Sequence, residues 1–164
     1  MRGRTKGLVM LAASVVALGA GRVPPRDPVL DAMDVMIQEE YRAAAEYERL
    51  GRDHAGVQPF AGWAESERAH AELIGWLYRD RGRAAPPSRW SADAIPPRRP
   101  LKQACAAALA AEERAVRLYD GYLDRMEAEL PSDVKRVFRH NRNVAKLQHL
   151  HPLQECVLSG AAPR

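Results

Sequence analysis

In the stretch "WAESERAHAELIGWLY", Glu67 and His70 are spaced to place a carboxylate and an imidazole on one side of a helix. Both fall on the apolar stripe formed by Phe60, Trp63, Ala64, Ala71, Ile74 and Leu77, where an unpartnered charged group is costly. Carboxylates bridge hard cations and imidazole suits iron, manganese or zinc, so the pair has the chemistry of a metal ligand set. Glu40, Glu112 and His149 stand on the apolar faces of other segments in the same way. Counted from turns near 55 and 130, Glu40 lies about 15 residues before the first, and Glu67 and His70 about 12 and 15 after it. Glu112 lies about 18 before the second turn and His149 about 19 after it. In paired helices, equal offsets bring side chains to one height. Glu40, Glu67, His70, Glu112 and His149 are therefore expected to converge inside the fold.

The spacing also repeats. Glu40 precedes Tyr47 by seven residues, and Glu112 precedes Tyr119 by seven. An inward Glu on two helices and Glu-x-x-His on two others is the ligand pattern of a carboxylate-bridged dinuclear centre. On that pattern Glu40 and Glu112 bridge or cap the metals, and Glu67, His70 and His149 are terminal ligands. The pattern lacks one member, because Lys146 stands three residues before His149 where a Glu is expected. Three outcomes are open: an asymmetric dinuclear site completed by water, a mononuclear site, or a site that no longer holds metal. Tyr47 and Tyr119 read as core aromatics with bonded hydroxyls, or as redox or supporting groups. A one-residue slip in helix phase would exchange Glu39 for Glu40, or Glu113 for Glu112.

The elements that must position these residues are all helical. Asp27-Pro28 supplies an N-cap and a Pro at the first helical position. Periodicity predicts helices over residues 28 to about 53, 59 to about 81, about 100 to about 130, and from 131 onward. Pro152 should kink or end the last one. The inward face of the third carries Cys105, Ala108, Leu109, Val116 and Leu123; that of the fourth carries Val134, Val137, Phe138, Asn141 and Ala145. Short turns imply that the helices pair antiparallel, first with second and third with fourth. "GRAAPPSRWSADAIPPRR", residues 82 to 99, is instead a Pro- and Arg-rich link long enough to cross the bundle. One long crossover between helices 2 and 3 makes this the ferritin-like form of the antiparallel four-helix bundle, an all-α fold.

The remaining composition bounds the setting. Residues 1 to 21 combine a basic start, "MRGRTK", with an apolar run of about 14 residues, the grammar of a signal peptide or N-terminal anchor. The net charge of +4 falls to about +1 once Arg2, Arg4 and Lys6 are set aside. The other arginines alternate with acids, which argues against nucleic-acid binding. No membrane span is expected in the mature domain, and a homodimer is left open. Export, periplasmic or secreted, favours a disulfide between the two cysteines, Cys105 and Cys156. They lie about 25 residues before and 26 after the second turn. A redox-active or metal-binding cysteine pair is the alternative. "HLH" at His149–His151 offers copper or zinc binding at the bundle end, against a solvated terminus. His54 and His140 read as turn and surface residues.

"IQEEYRAAAEYERL", "VQPFAGWAESERAHAEL", "ACAAALAAEERAVRLYD" and "DVKRVFRH…HLHPLQECV" resemble, in order, motifs of exported bacterial ferritin-like proteins of the domain-of-unknown-function 2202 group. The resemblance covers about residues 28 to 158, taken as one domain. It implies a ferritin-like bundle with a metal site at Glu40, Glu67, His70, Glu112 and His149, and it brings no settled activity. The functional expectation is binding of iron or another transition metal in the core, with oxidase- or peroxidase-like chemistry. The alternatives are a sequestering or sensing protein without turnover, and a structural bundle in which Lys146 pairs with an internal glutamate.

Overall fold

The computed structural model describes residues 27–163; the segment read as a signal peptide or anchor lies outside them. Helix α1 spans Pro28–Asp53, α2 Phe60–Asp80, α3 Leu101–Arg125, α4 Ser132–Val144 and α5 Leu150–Ser159. Among the described residues there is no strand, and no helix is long and apolar enough to cross a membrane. The Asp27 side chain accepts a hydrogen bond from Val29 N at 2.9 Å, capping α1 beside Pro28.

Between α4 and α5 the backbone stays helical but widens into a single π turn, Ala145–His149, whose last bond runs from Leu150 N–H to Ala145 O. The fourth rod therefore continues past Pro152 rather than ending there. Proline cannot donate to the carbonyl four residues back, and its ring crowds that carbonyl. The wide turn falls directly ahead of it, and an extra residue is accommodated without breaking the helix. A second departure from expectation is the end of α3, at Arg125 rather than near Leu130. The residue before Pro131 is pushed out of the helical region, and the intervening turn buries Leu130 instead.

The rods bury two apolar clusters, one on each side of the polar residues. Met33, Ile37, Ile74, Tyr119, Val134 and Phe138 belong to the first. Leu50, Phe60, Trp63, Cys105, Ala108 and Leu153 belong to the second. Cys105 and Cys156 are buried with their sulfurs at a bonding distance of 1.96 Å, joining α3 to α5.

The link between α2 and α3 has one short 3-10 turn, Ala92–Ala94, and is tied to α1 at two levels. Gln38 Nε2 donates to Pro87 O at 2.9 Å, and Arg89 N donates to Gln38 Oε1 at 3.1 Å. Farther along, Arg98 N donates to Asp53 Oδ2 at 3.2 Å, and His54 Nε2 meets Arg98 O at 2.8 Å. These anchor points are 15 residues apart on α1, roughly 22 Å at the helical rise. Ala92 and Ile95 turn inward between them.

Candidate metal centre

Glu40, Glu67, His70, Glu112 and His149 are all buried, and His149 is 0% exposed. The phase of each helix settles their neighbours: Glu39 pairs outward with Arg42 and Arg114, Glu113 with Arg117, and Glu65 is exposed. The five polar residues form two overlapping groups of three, Glu40–Glu67–His70 and Glu67–Glu112–His149, each with its ligand atoms within 4.8 Å of one another. Glu67 belongs to both. The shared carboxylate is thus Glu67, where the sequence pattern pointed to Glu40 and Glu112.

Both imidazoles turn Nδ1 toward the carboxylates. His70 Nδ1 lies 2.9 Å from Glu67 Oε2 and 3.4 Å from Glu40 Oε2. His149 Nδ1 lies 3.1 Å from Glu112 Oε1 and 3.1 Å from Glu67 Oε1. The last contact is not aligned as a hydrogen bond, so Glu67 Oε1 has no hydrogen-bond partner, and neither has His149 Nε2.

Two buried phenols complete the ring in a reciprocal way. Tyr47, on the helix of Glu40, donates to Glu112 Oε1 at 2.5 Å. Tyr119, on the helix of Glu112, donates to Glu40. The seven-residue spacing places each Tyr two turns from its own Glu but opposite the other one. Asn141, 1% exposed, adds three contacts from its Nδ2: Tyr119 Oη at 3.0 Å, His70 O at 3.3 Å and Glu40 Oε1 at 3.4 Å. Its inward position was legible from helical phase, but not its role as the polar junction of four helices. Glu46 is not among the residues expected inside. It is buried on α1 against Arg42 at 3.1 Å, one residue off the face read as inward.

Burial governs the charge state. Removed from water and facing the Glu67 charge, the Glu40 carboxyl is pushed up to about 8, in spite of hydrogen bonding with His70. Burial also opposes charge on Glu67, but His149, His70 and Glu40 outweigh it and hold Glu67 below the usual carboxylate range. Burial disfavours imidazolium too; the acceptors Glu40 and Glu67 overcome this at His70, raising it to about 10. Glu112 and Glu67 do the same at His149, raising it to about 9. Burial and the adjacent carboxylates push both Tyr47 and Tyr119 well above their ordinary value. In the metal-free protein, protons on His70, His149 and Glu40 therefore do the neutralising that cations could do.

Lys146 does not enter this site. Its Nζ lies 2.9 Å from Asp120 Oδ2 at the surface, so the expected pairing with an internal glutamate is corrected. The π turn is the cause. It holds one more residue per turn, so the site-facing position before His149 is four residues back, not three. That position is Ala145, buried at 5% exposure. His151 is exposed and 3.5 Å from Glu155, which places it away from both groups. His140 is exposed with its ring 6.1 Å from that of His70.

The donor set fits a metal. Three carboxylates and two imidazole Nδ1 atoms converge in a buried core, and Glu67 Oε1 is a buried acceptor with no hydrogen-bond donor. Among protein-family models, curated proteins and solved structures, none matches the chain.

Proposed function

We propose that this chain is an exported ferritin-like protein that binds up to two first-row transition-metal ions in its core, iron being the expected metal. The observation that carries this reading is the sharing of Glu67 by two buried carboxylate–histidine groups. No apolar packing need explains five ionisable side chains at one level, and their burial is costly without cations or protons to offset it. Glu40 and His70 would hold one ion, Glu112 and His149 the other, with the Glu67 carboxylate between them. Bound there, such ions supply Lewis acidity and, for iron, one-electron chemistry toward dioxygen or peroxide.

The chain's own residues would orient the ligands. Tyr119 holds the Glu40 oxygen that faces away from His70, Tyr47 holds the Glu112 oxygen that also faces His149, and Trp63 packs 5.0 Å from the His149 ring. The ferritin-like arrangement is supported by the link that follows α1 from Gln38 to Asp53, the position of the single long crossover in such bundles. The bonded cysteines favour an oxidising compartment, in keeping with export.

Elemental analysis after loading with iron or manganese tests the reading, with the melting temperature followed alongside. Bound metal with a raised melting temperature is expected, and Glu67→Ala should lose most of it. No bound metal and an unchanged melting temperature would leave a structural bundle. Metal bound without oxygen- or peroxide-dependent oxidation would identify sequestration rather than turnover.

A further inference from the structure

The two halves of the site are built from corresponding positions with different residues. On α2, Trp63 and Glu67 precede His70 by seven and three. On the fourth rod the π turn adds one residue, so the corresponding positions precede His149 by eight and four: Asn141 and Ala145. Burial agrees, since Asn141 and Ala145 are inside while Lys146 points out to Asp120. Where α2 presents a carboxylate, the fourth rod presents a methyl group. Where α2 presents an indole, packed 5.3 Å from Tyr47, the fourth rod presents an amide.

The orientation of that amide is fixed. Asn141 faces the His70 carbonyl, which can only accept, so the atom there must be Nδ2. Its Oδ1 is buried and has no donor in the protein. A carbonyl oxygen in that state suits a ligand bearing a hydrogen to donate.

We propose that Asn141 and Ala145 form a subsite for one small oxygen ligand, of the class of water, hydroxide or hydroperoxide. The ligand would occupy the coordination position that Glu67 takes on the opposite helix. Ala145 supplies no donor atom at that position, and Asn141 Oδ1 would accept the ligand's hydrogen. The inference rests on the metal reading above and places the outside ligand on the fourth-rod side of the centre.

The test uses the full chain loaded with cobalt(II), titrated with azide and followed by visible absorption. Azide binds open coordination positions but brings no hydrogen for Asn141. A saturable azide response is expected in the parent. Ala145→Leu should bind the same cobalt and lose at least tenfold in azide affinity, because its side chain fills the position. Asn141→Leu should gain about tenfold, because the water that azide displaces loses its acceptor. Lys146→Leu should match the parent. Cobalt binding with no azide response in the parent overturns the subsite alone, and that arm needs no variant to fold. Unchanged azide affinity in Ala145→Leu does the same. No cobalt binding in the parent overturns the metal reading and the subsite together.

Discussion

Loading the site with metal should expel protons, and their number follows from the buried groups. A ligating carboxylate or imidazole nitrogen must be deprotonated. In the metal-free chain Glu40 titrates at about 8, His70 at about 10 and His149 at about 9. At pH 7 these groups together hold about three protons, whereas groups at the ordinary values of 4.5 and 6.5 would hold about half of one. Filling the site at pH 7 should therefore release about three protons. The overall binding constant should rise by about three orders of magnitude per pH unit there, or about 4 kcal/mol. The slope should flatten between about pH 8 and 10 as each group gives up its proton beforehand. Titration calorimetry with cobalt(II) in two buffers of different ionisation enthalpy counts the protons directly. Release of fewer than one proton at pH 7 would refute the reasoning, because Glu40, His70 and His149 could not then be the groups the metal displaces.

The same shifts set the stability of the metal-free chain. Glu40, His70 and His149 hold protons more tightly folded than unfolded, so their contribution is complete below the unfolded values. It is lost as pH rises from about 4.5 to 8 for Glu40 and from about 6.5 to 9–10 for the histidines. The melting temperature of the metal-free protein should fall between pH 6 and 9, and that of the loaded protein should not; thermal melts across that range decide it. Glu67 is shifted downward and acts oppositely, its contribution being lost as pH falls below about 4.5. Ala145→Glu should tighten metal binding by adding the missing carboxylate, while Lys146→Glu should leave affinity unchanged and only place a charge beside Asp120; equilibrium titration of both variants separates them. The Cys105–Cys156 bond closes 51 residues of chain, so replacing both by Ala should cost about 4 kcal/mol in denaturant unfolding.

Helical phase carried most of the site. The apolar stripes around Glu40, Glu67, Glu112 and His149 are regular over several turns, and a one-residue error would have put Arg-paired Glu39 inside. The height match between helices was legible because the connecting turns near 55 and 130 are short. The π turn was not legible. Pro152 announces a disturbance, but the same residue ends some helices and only widens others. That one extra residue turns Lys146 out and Ala145 in, so the three-residue spacing from His149 points to the wrong side chain. The crossing of the tyrosines was hidden for a related reason. Spacing within a helix tells which residues share a face, not which partner helix they reach. Glu46 is not legible from the apolar stripe of α1, because it lies one residue off that face and pairs with Arg42 and the link residue Arg98.

The most direct measurement is a crystal of the manganese- or iron-loaded chain with anomalous diffraction at the metal edge. Two peaks are predicted, one about 2.1–2.3 Å from His70 Nδ1 and one at the same distance from His149 Nδ1. The Glu67 carboxylate should lie between them. Strong peaks only at surface sites, or a core of five ionisable residues with no peak among them in fully loaded protein, would contradict the account.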